Sequence, residues 1–440
     1  MAFAAGPMPG ISHDAMLVFL MQIGVLLIVA TALGRLAARL NLPAVVGELA
    51  AGILVGPSVL GAVAPAVSER LLPHDAGQMH LLGAVAQLGV LLLVGITGAH
   101  VDLALLRRRR VAIGWVSVGS VLLPLALGIG LGFLLPASVM GENGHRPVFA
   151  LFIGVAVAVS ALPVIAKTLL DMKLMHRNVG QVIIGAAAVS DILGWLLLSI
   201  VSATATVGFR AGVVAESVGC LLLVLAATVF LARPLVARVM RTVERSASGS
   251  DLGISVVVVL LVLAAAGTHA LRMEPMLGAF LCGTIVGSLG AESRRFLELA
   301  RPFVMGVLAP LFLATAGLQV DLTALRRPAV LGAALVTLLV AVGAKLAGGY
   351  LGARMGRLAH DEALAIGAGL NARGVVEIVL ASVGLNIKVL NSASYTIVVL
   401  VAVVTSVMAP PILRRTVGRM AQTSGELKRE REYAAQPVAS

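Results

Sequence analysis

Runs of about 20 apolar residues recur from one end of this chain to the other, each long enough to cross a hydrocarbon core of about 30 Å. Charged residues and Gly/Pro punctuation separate them. Thirteen such spans can be drawn through the 440 residues, at 15–38, 42–60, 80–99, 111–135, 147–170, 179–206, 212–232, 252–271, 275–290, 298–319, 328–353, 361–385 and 393–413. Only 12% of the residues are charged, where soluble domains carry about a quarter. The pattern predicts an all-α polytopic membrane protein with about 13 transmembrane helices.

An odd number of spans puts the two termini on opposite faces. Assigned to alternate loops, most of the 33 Lys and Arg residues gather on one side, in groups such as Arg107 to Arg110, Arg238 with Arg241 and Arg245, and Arg414 with Arg415. Positive loops mark the cytoplasmic face. The N-terminus is therefore expected outside and the C-terminus in the cytoplasm, across what reads as a bacterial plasma membrane. The same bias accounts for the net charge of +12 without invoking nucleic acid. The first fifteen residues hold no Lys or Arg, so they lack the basic region of a signal peptide. Cys220 and Cys282 lie in apolar runs and read as packing residues rather than a disulfide framework. Residues 1–420 are expected to form one transmembrane domain, and 421–440 a short, polar, disordered cytoplasmic tail.

The third span ends in "GAHVDLALLRR" (98–108) and the tenth in "GLQVDLTALRR" (317–327), a match at a constant offset of 219. Gly47, Gly52 and Gly56 of the second span align with Gly278, Gly283 and Gly287 of the ninth at offset 231. Paired spans seven helices apart cross in opposite directions. This predicts an inverted-topology repeat, roughly 15–206 and 252–413, joined by a linker helix at 212–232. Many secondary transporters are built this way. Extending the alignment sets "SALPV" (160–164) against "NARGV" (371–375) at offset 211. Pro163 removes an amide donor, while Asn371 and Gly374 interrupt the second segment. Freed backbone groups are tolerated at bilayer depth only where protein or a wet cavity satisfies them. Matched interruptions in two halves therefore point to a binding site.

Between these interruptions lies "AAAVSDILGW" (186–195), with Ser190 and Asp191 inside an apolar run. An ionisable group at bilayer depth is costly and marks function. Removal from water penalises the charged form of a carboxylate, so a proton and a small cation become competing occupants of Asp191. Unwound backbone carbonyls and the hydroxyls of Ser160 and Ser190 are candidate oxygen ligands, as hard cations require. Two cations, Lys345 and Arg373, fall well inside spans rather than near their ends. Lys345 either pairs with Asp191 or offsets the negative helix ends at the interruptions. Arg373 stands four residues before Glu377, the spacing of an intrahelical ion pair. Glu48 is a cytoplasmic funnel group or a snorkelling surface residue. The reading calls for no cofactor and no catalytic residue.

These segments resemble the monovalent cation:proton antiporter-2 family, within the wider cation:proton antiporter superfamily. The resemblance rests on "LPAVVGELAAGILVGPSVLG", "SALPVIAKTLLDMKL", "AAAVSDILGW", "NARGVVEIVLASVGL" and "VLVAVVTSVMAPPIL". The last two are most similar to plant cation/proton exchangers and their bacterial relatives. It implies an NhaA-like fold with two discontinuous crossed helices, a homodimer in membrane lipid, and exchange of Na+ or K+ for H+ by alternating access. By the same resemblance Asp191 is the essential ion-binding carboxylate, and Lys345 occupies the family's charged position in the eleventh span. The residue before that aspartate is usually Asp or Asn in the family, and here it is Ser190. A single carboxylate favours electroneutral exchange. A Kef-like potassium efflux protein and an organic-ion exporter are the alternatives on the same scaffold. A potassium channel is disfavoured, because "TVGF" (206–209) is followed by Arg210 rather than Gly. An intramembrane enzyme finds no support: no HExxH is present, and "GIGLGF" (128–133) is a helix-packing run.

Overall fold

The computed structural model describes residues 12–427, apart from 41, 73–75, 100, 102–108, 173, 175, 208–210, 246–248, 272, 419, 421 and 425. Among them the chain is helical, and the isolated bridge Met140–Leu390 is the one β pairing outside a named strand. In chain order the helices are α1 (His13–Arg39), α2 (Ala44–Val55), α3 (Ala76–Ala99), α4 (Arg110–Leu134), α5 (Arg146–Ala158) and α6 (Leu162–Asp171). There follow α7 (Asn178–Val207), α8 (Ala211–Ala227), α9 (Arg233–Arg245), α10 (Gly249–Ala270), α11 (Pro275–Leu289) and α12 (Ala291–Phe303). The last five are α13 (Ala309–Leu318), α14 (Pro328–Met355), α15 (His360–Leu370), α16 (Val375–Asn386) and α17 (Ser392–Val417).

Among the described residues ten helical stretches are long and apolar enough to cross a bilayer, and α15 with α16, bent by 45° at their junction, gives an eleventh. Two of the thirteen expected spans are not among these eleven. The span at 147–170 is split into α5 and α6. The span at 275–290 is α11, whose 15 residues reach only about 22 Å at 1.5 Å per residue. The count of thirteen is thus not matched one for one by full-length helices. Hydropathy measures apolar length and is blind to where a helix stops. Of the two "VDL" copies, the first lies almost wholly outside the described residues. In the second, Asp321 caps a short 3₁₀ turn by accepting from the amides of Thr323 and Ala324. The "TVGF" stretch is likewise described only for Thr206 and Val207, at the end of α7.

The chain groups into two compact units, residues 1–89 with 305–319 and residues 90–304 with 320–440. In the first, α2 packs against α1 and α13 through its glycines. A Cβ on Gly47 would collide with the Leu33 carbonyl of α1, and one on Gly52 with the Ala314 carbonyl of α13. In the second unit α11 repeats the arrangement. A Cβ on Gly278 would strike the Ala264 carbonyl of α10, and one on Gly283 the Gly95 carbonyl of α3. Glycines that align in sequence thus serve matching helix crossings, where small residues let backbones touch.

The second unit holds α4, α5, α7 and α14 to α17. There α4 packs along α14, where a Cβ on Gly119 would meet the Gly348 backbone. Among the described residues beyond α17, Glu426 is tied to the start of α7. Glu426 accepts from the amides of Thr423 and Asn178, both at 2.7 Å, and from the Thr423 hydroxyl at 2.9 Å. Arg177 bonds the same carboxylate at 3.3 Å and donates to the Met420 carbonyl at 3.1 Å. Arg109 donates to the Asn178 side chain at 2.7 Å. A polar composition hid this clasp, because its partner is the start of α7, some 249 residues earlier in the chain.

Burial opposes ionisation of Glu426, but the Thr423 and Asn178 amides, the Thr423 hydroxyl and Arg177 outweigh it and hold the carboxyl below its usual range. A depressed carboxyl stabilises the fold above the ordinary carboxylate range, and that contribution disappears as pH falls through the folded-state value. Glu426→Gln should therefore lower thermal stability by about 1–3 kcal/mol near neutral pH. The gap from wild type should close below about pH 4. Melting curves of the purified protein across pH test this; an equal gap at every pH would contradict it.

Candidate functional site

Helix α5 ends at Ala158, and the chain runs extended through Val159 before α6 begins at Leu162. Pro163, expected at the break, instead lies in the first turn of α6. A missing N–H costs nothing there, since the first four amides of a helix have no internal partner. The interruption is at 159–161. Its counterpart runs from Asn371, the C-cap of α15, to Gly374, the N-cap of α16, as the sequence indicated.

The two breaks are bonded to each other. Ser160 donates its hydroxyl to the Leu370 carbonyl at 3.0 Å, and the Ala161 amide bonds the Ala372 carbonyl at 3.3 Å. A Cβ on Gly374 would press into the Val164 side chain of α6. The discontinuous segments therefore meet at their interruptions.

A helix end leaves its last four carbonyls unbonded, and at α5 all four are accounted for. The Val155 carbonyl accepts from Val159 at 3.1 Å. Those of Ala156 and Val157 accept from the Arg373 guanidinium at 2.8 and 2.6 Å. That of Ala158 accepts from Lys345 Nζ. Lys345 also donates to the Ser120 carbonyl at 2.9 Å. Pro124, inside α4, explains why that carbonyl is available: it lacks the amide that would otherwise bond four residues back. Of the two partners the sequence offered for Lys345, the hydrogen bonds select the helix end over Asp191.

Arg373 forms the expected pair with Glu377, at 3.1 Å with both side chains buried, and reaches the Ala341 carbonyl at 3.2 Å. Glu377 stands in the first turn of α16, where the helix dipole favours an anion. Ser406 of α17 donates to the Arg373 carbonyl. Negative helix ends thus meet Lys345 and Arg373, while a positive helix start carries Glu377.

Asp191 lies in the middle of α7 and is 1% exposed. Gly194, one turn further on, packs against Val159, so this face of α7 looks toward the first break. The Leu162 amide, opening α6, is directed at the Asp191 carboxylate. It falls short of a hydrogen bond of normal geometry, and neither oxygen is bonded by any other described group. Ser190 shares a face of α7 with Ile183, two turns earlier, and Ile183 packs against Gly369 at the end of α15. Its hydroxyl is buried and unbonded among the described residues. Ser190 and Asp191 thus lie on a stretch of α7 that packs against both broken segments. Ser160 spends its hydrogen on Leu370 but keeps its oxygen lone pairs.

The sequence reading missed Ser406, Pro124 and the Ser120 carbonyl. Each acts through backbone groups, which leave no mark in residue type. Pro124 inside an apolar helix was the one available signal.

The transmembrane family model described as "Sodium/hydrogen exchanger, transmembrane" matches residues 24–418. The Na(+)/H(+) antiporter NhaS4 of Synechocystis is 29% identical over 405 residues, covering 91% of this chain and 97% of that protein. Cation/H(+) antiporter 20 of Arabidopsis thaliana is 30% identical over 89% of this chain and 47% of its own length. The chain spans about half the length of the plant relatives it matches. The solved sodium proton antiporter MjNhaP1 of Methanocaldococcus jannaschii superposes with a TM-score of 0.65 at 15% identity, over 94% of this chain and 99% of that one, and shares its fold. With the match running through nearly every helix described above, this integral membrane protein belongs to the transmembrane sodium/hydrogen exchanger family.

Proposed function

We propose that the chain is a secondary antiporter that exchanges Na+ or K+ for H+, one for one, with Asp191 as the carboxylate the two occupants share. The observation that carries this reading is the bare Asp191 carboxylate, buried at the meeting of two broken helices. A permanently structural aspartate would be bonded, because a buried polar group without a partner is costly. An exchangeable one must leave its oxygens to the cargo.

Each side chain around it has a task in this mechanism. Asp191 holds a proton or a dehydrated cation, and Ser160 and Ser190 add neutral oxygens. Lys345 and Arg373 fix the carbonyls of α5 and so hold the broken segment's shape through either occupancy. Glu377 is paired with Arg373 and both cations are engaged, so Asp191 is the carboxylate of the site without an ion-pair partner, which supports electroneutral exchange. The matched glycine crossings of α2 and α11 support an inverted repeat, and hence alternating access around a fixed site. The Lys/Arg asymmetry supports an external N-terminus and a cytoplasmic C-terminus. The family resemblance supports a homodimer in the lipid, with each protomer holding its own Asp191.

The test is proton flux in proteoliposomes across a panel of monovalent cations. Addition of sodium or potassium should dissipate a preset pH gradient, at a rate insensitive to membrane potential. Cation flux without proton movement would overturn the reading, and strong voltage dependence would overturn the stoichiometry.

A further inference from the structure

Asn371 has the most unusual surroundings of any neutral polar residue in the second unit. Its side chain is 0% exposed, and neither the amide nitrogen nor the carbonyl oxygen is hydrogen-bonded among the described residues. A buried carboxamide is expected to bond, and each exception calls for a cause.

The placement of Asn371 supplies one. The residues on either side of it are pinned to the first break, Leu370 by the Ser160 hydroxyl and Ala372 by the Ala161 amide. The next residue along that break is Leu162, whose amide is directed at Asp191. From the other side, α7, which carries Ser190 and Asp191, packs on the end of α15 through Ile183 and Gly369. Ser190, Asp191 and Asn371, none of them hydrogen-bonded among the described residues, thus all lie on the segments that meet at the two breaks. Together they offer one anionic carboxylate and two neutral oxygens. That donor set suits a monovalent cation stripped of water, which requires several oxygens and a single compensating charge.

We infer that the Asn371 carboxamide is a further cation ligand of the exchange site and a determinant of its choice among monovalent cations. The inference rests on the exchange reading above and adds to it a neutral ligand from the second break. When a cation is bound, the carboxamide oxygen faces it. When Asp191 carries a proton, the same oxygen can accept that proton's hydrogen bond. One side chain thus serves both occupants without changing the charge of the site.

The test uses the full-length chain in proteoliposomes, with initial proton flux measured against sodium and, separately, potassium concentration. Asn371→Leu keeps the volume and removes the oxygen. Loss of one neutral ligand should raise the apparent KM by about tenfold, with maximal flux changed by less than about threefold. The rise should differ between sodium and potassium, shifting their KM ratio. Thermal stability should hold or increase, because no hydrogen bond is lost and an unbonded polar group leaves the interior. Asn371→Asp, which keeps an oxygen at the same reach, should bring the sodium KM back toward wild type. If Asn371→Leu does not insert, Asn371→Ser should give the same KM rise, its oxygen being too short to reach.

An unchanged KM for both cations in a folded variant would overturn the inference. So would a large loss of stability with KM intact, which marks a structural amide. These outcomes leave the exchange reading standing. That reading fails separately, if the wild type shows no cation-driven proton flux.

Discussion

Asp191→Asn should yield a protein that folds, inserts and is recovered in normal amount, with cation/proton exchange reduced to the level of empty vesicles. The substitution nearly preserves shape and removes both the titrating proton and the anionic ligand. No neighbouring group can take over: Lys345 and Arg373 are cations, and Glu377 is committed to Arg373 at 3.1 Å. Stability should not fall and is expected to rise. The native carboxylate makes no hydrogen bond among the described residues, and a carboxamide costs less to bury than a charge. Initial rates at equal reconstituted protein, alongside melting curves, read both effects. A large drop in melting temperature would mean that Asp191 is a structural group.

The opposite pattern is expected of Arg373. Arg373→Ala exposes the carbonyls of Ala156, Val157 and Ala341 and leaves Glu377 as an unpaired buried charge. Breaking one partner of a buried pair costs about 3–5 kcal/mol. Little folded protein should be recovered from this variant, and the fraction that folds should lose exchange with it. Adding Glu377→Leu to an Arg373→Leu background should recover part of the stability, because neither charge is then left alone. The carbonyls of α5 remain uncapped in the double variant, so transport should not return with stability. Equal melting temperatures for wild type and Arg373→Ala would remove Arg373 from the architecture of the break.

These two residues also show how much of the molecule could be read from sequence. Asp191 was legible because a carboxylate in an apolar run contradicts its surroundings, and the contradiction is local. The 371–374 interruption was legible for the same reason, as a polar run with a glycine inside an apolar stretch. The end of α5 was not. Pro163 is the visible helix breaker, yet the helix stops before it, at Ala158, where Lys345 and Arg373 arrive from 187 and 217 residues away to take the carbonyls. A helix end of this kind is fixed by distant donors, and no local residue announces it. Lys345 was rightly seen as an unusual buried cation, but its partner was open, since a backbone carbonyl looks alike at every position. The tail clasp was hidden in the same way: Glu426 is one acid in a mixed-charge segment until Arg177 and the start of α7 are beside it. The site's ionisable group and one of its breaks were in the sequence. The scaffold that holds them is made of long-range bonds to backbone.

One measurement reaches the central claim without vesicles or gradients. Sodium or potassium is added to the purified, weakly buffered wild-type protein and to Asp191→Asn at a pH where the site is protonated, and released protons are counted with a pH indicator. If one carboxylate serves both occupants, the wild type releases about one proton per cation bound, and Asp191→Asn releases none. Proton release from Asp191→Asn equal to that of wild type would place the exchange elsewhere and contradict the account.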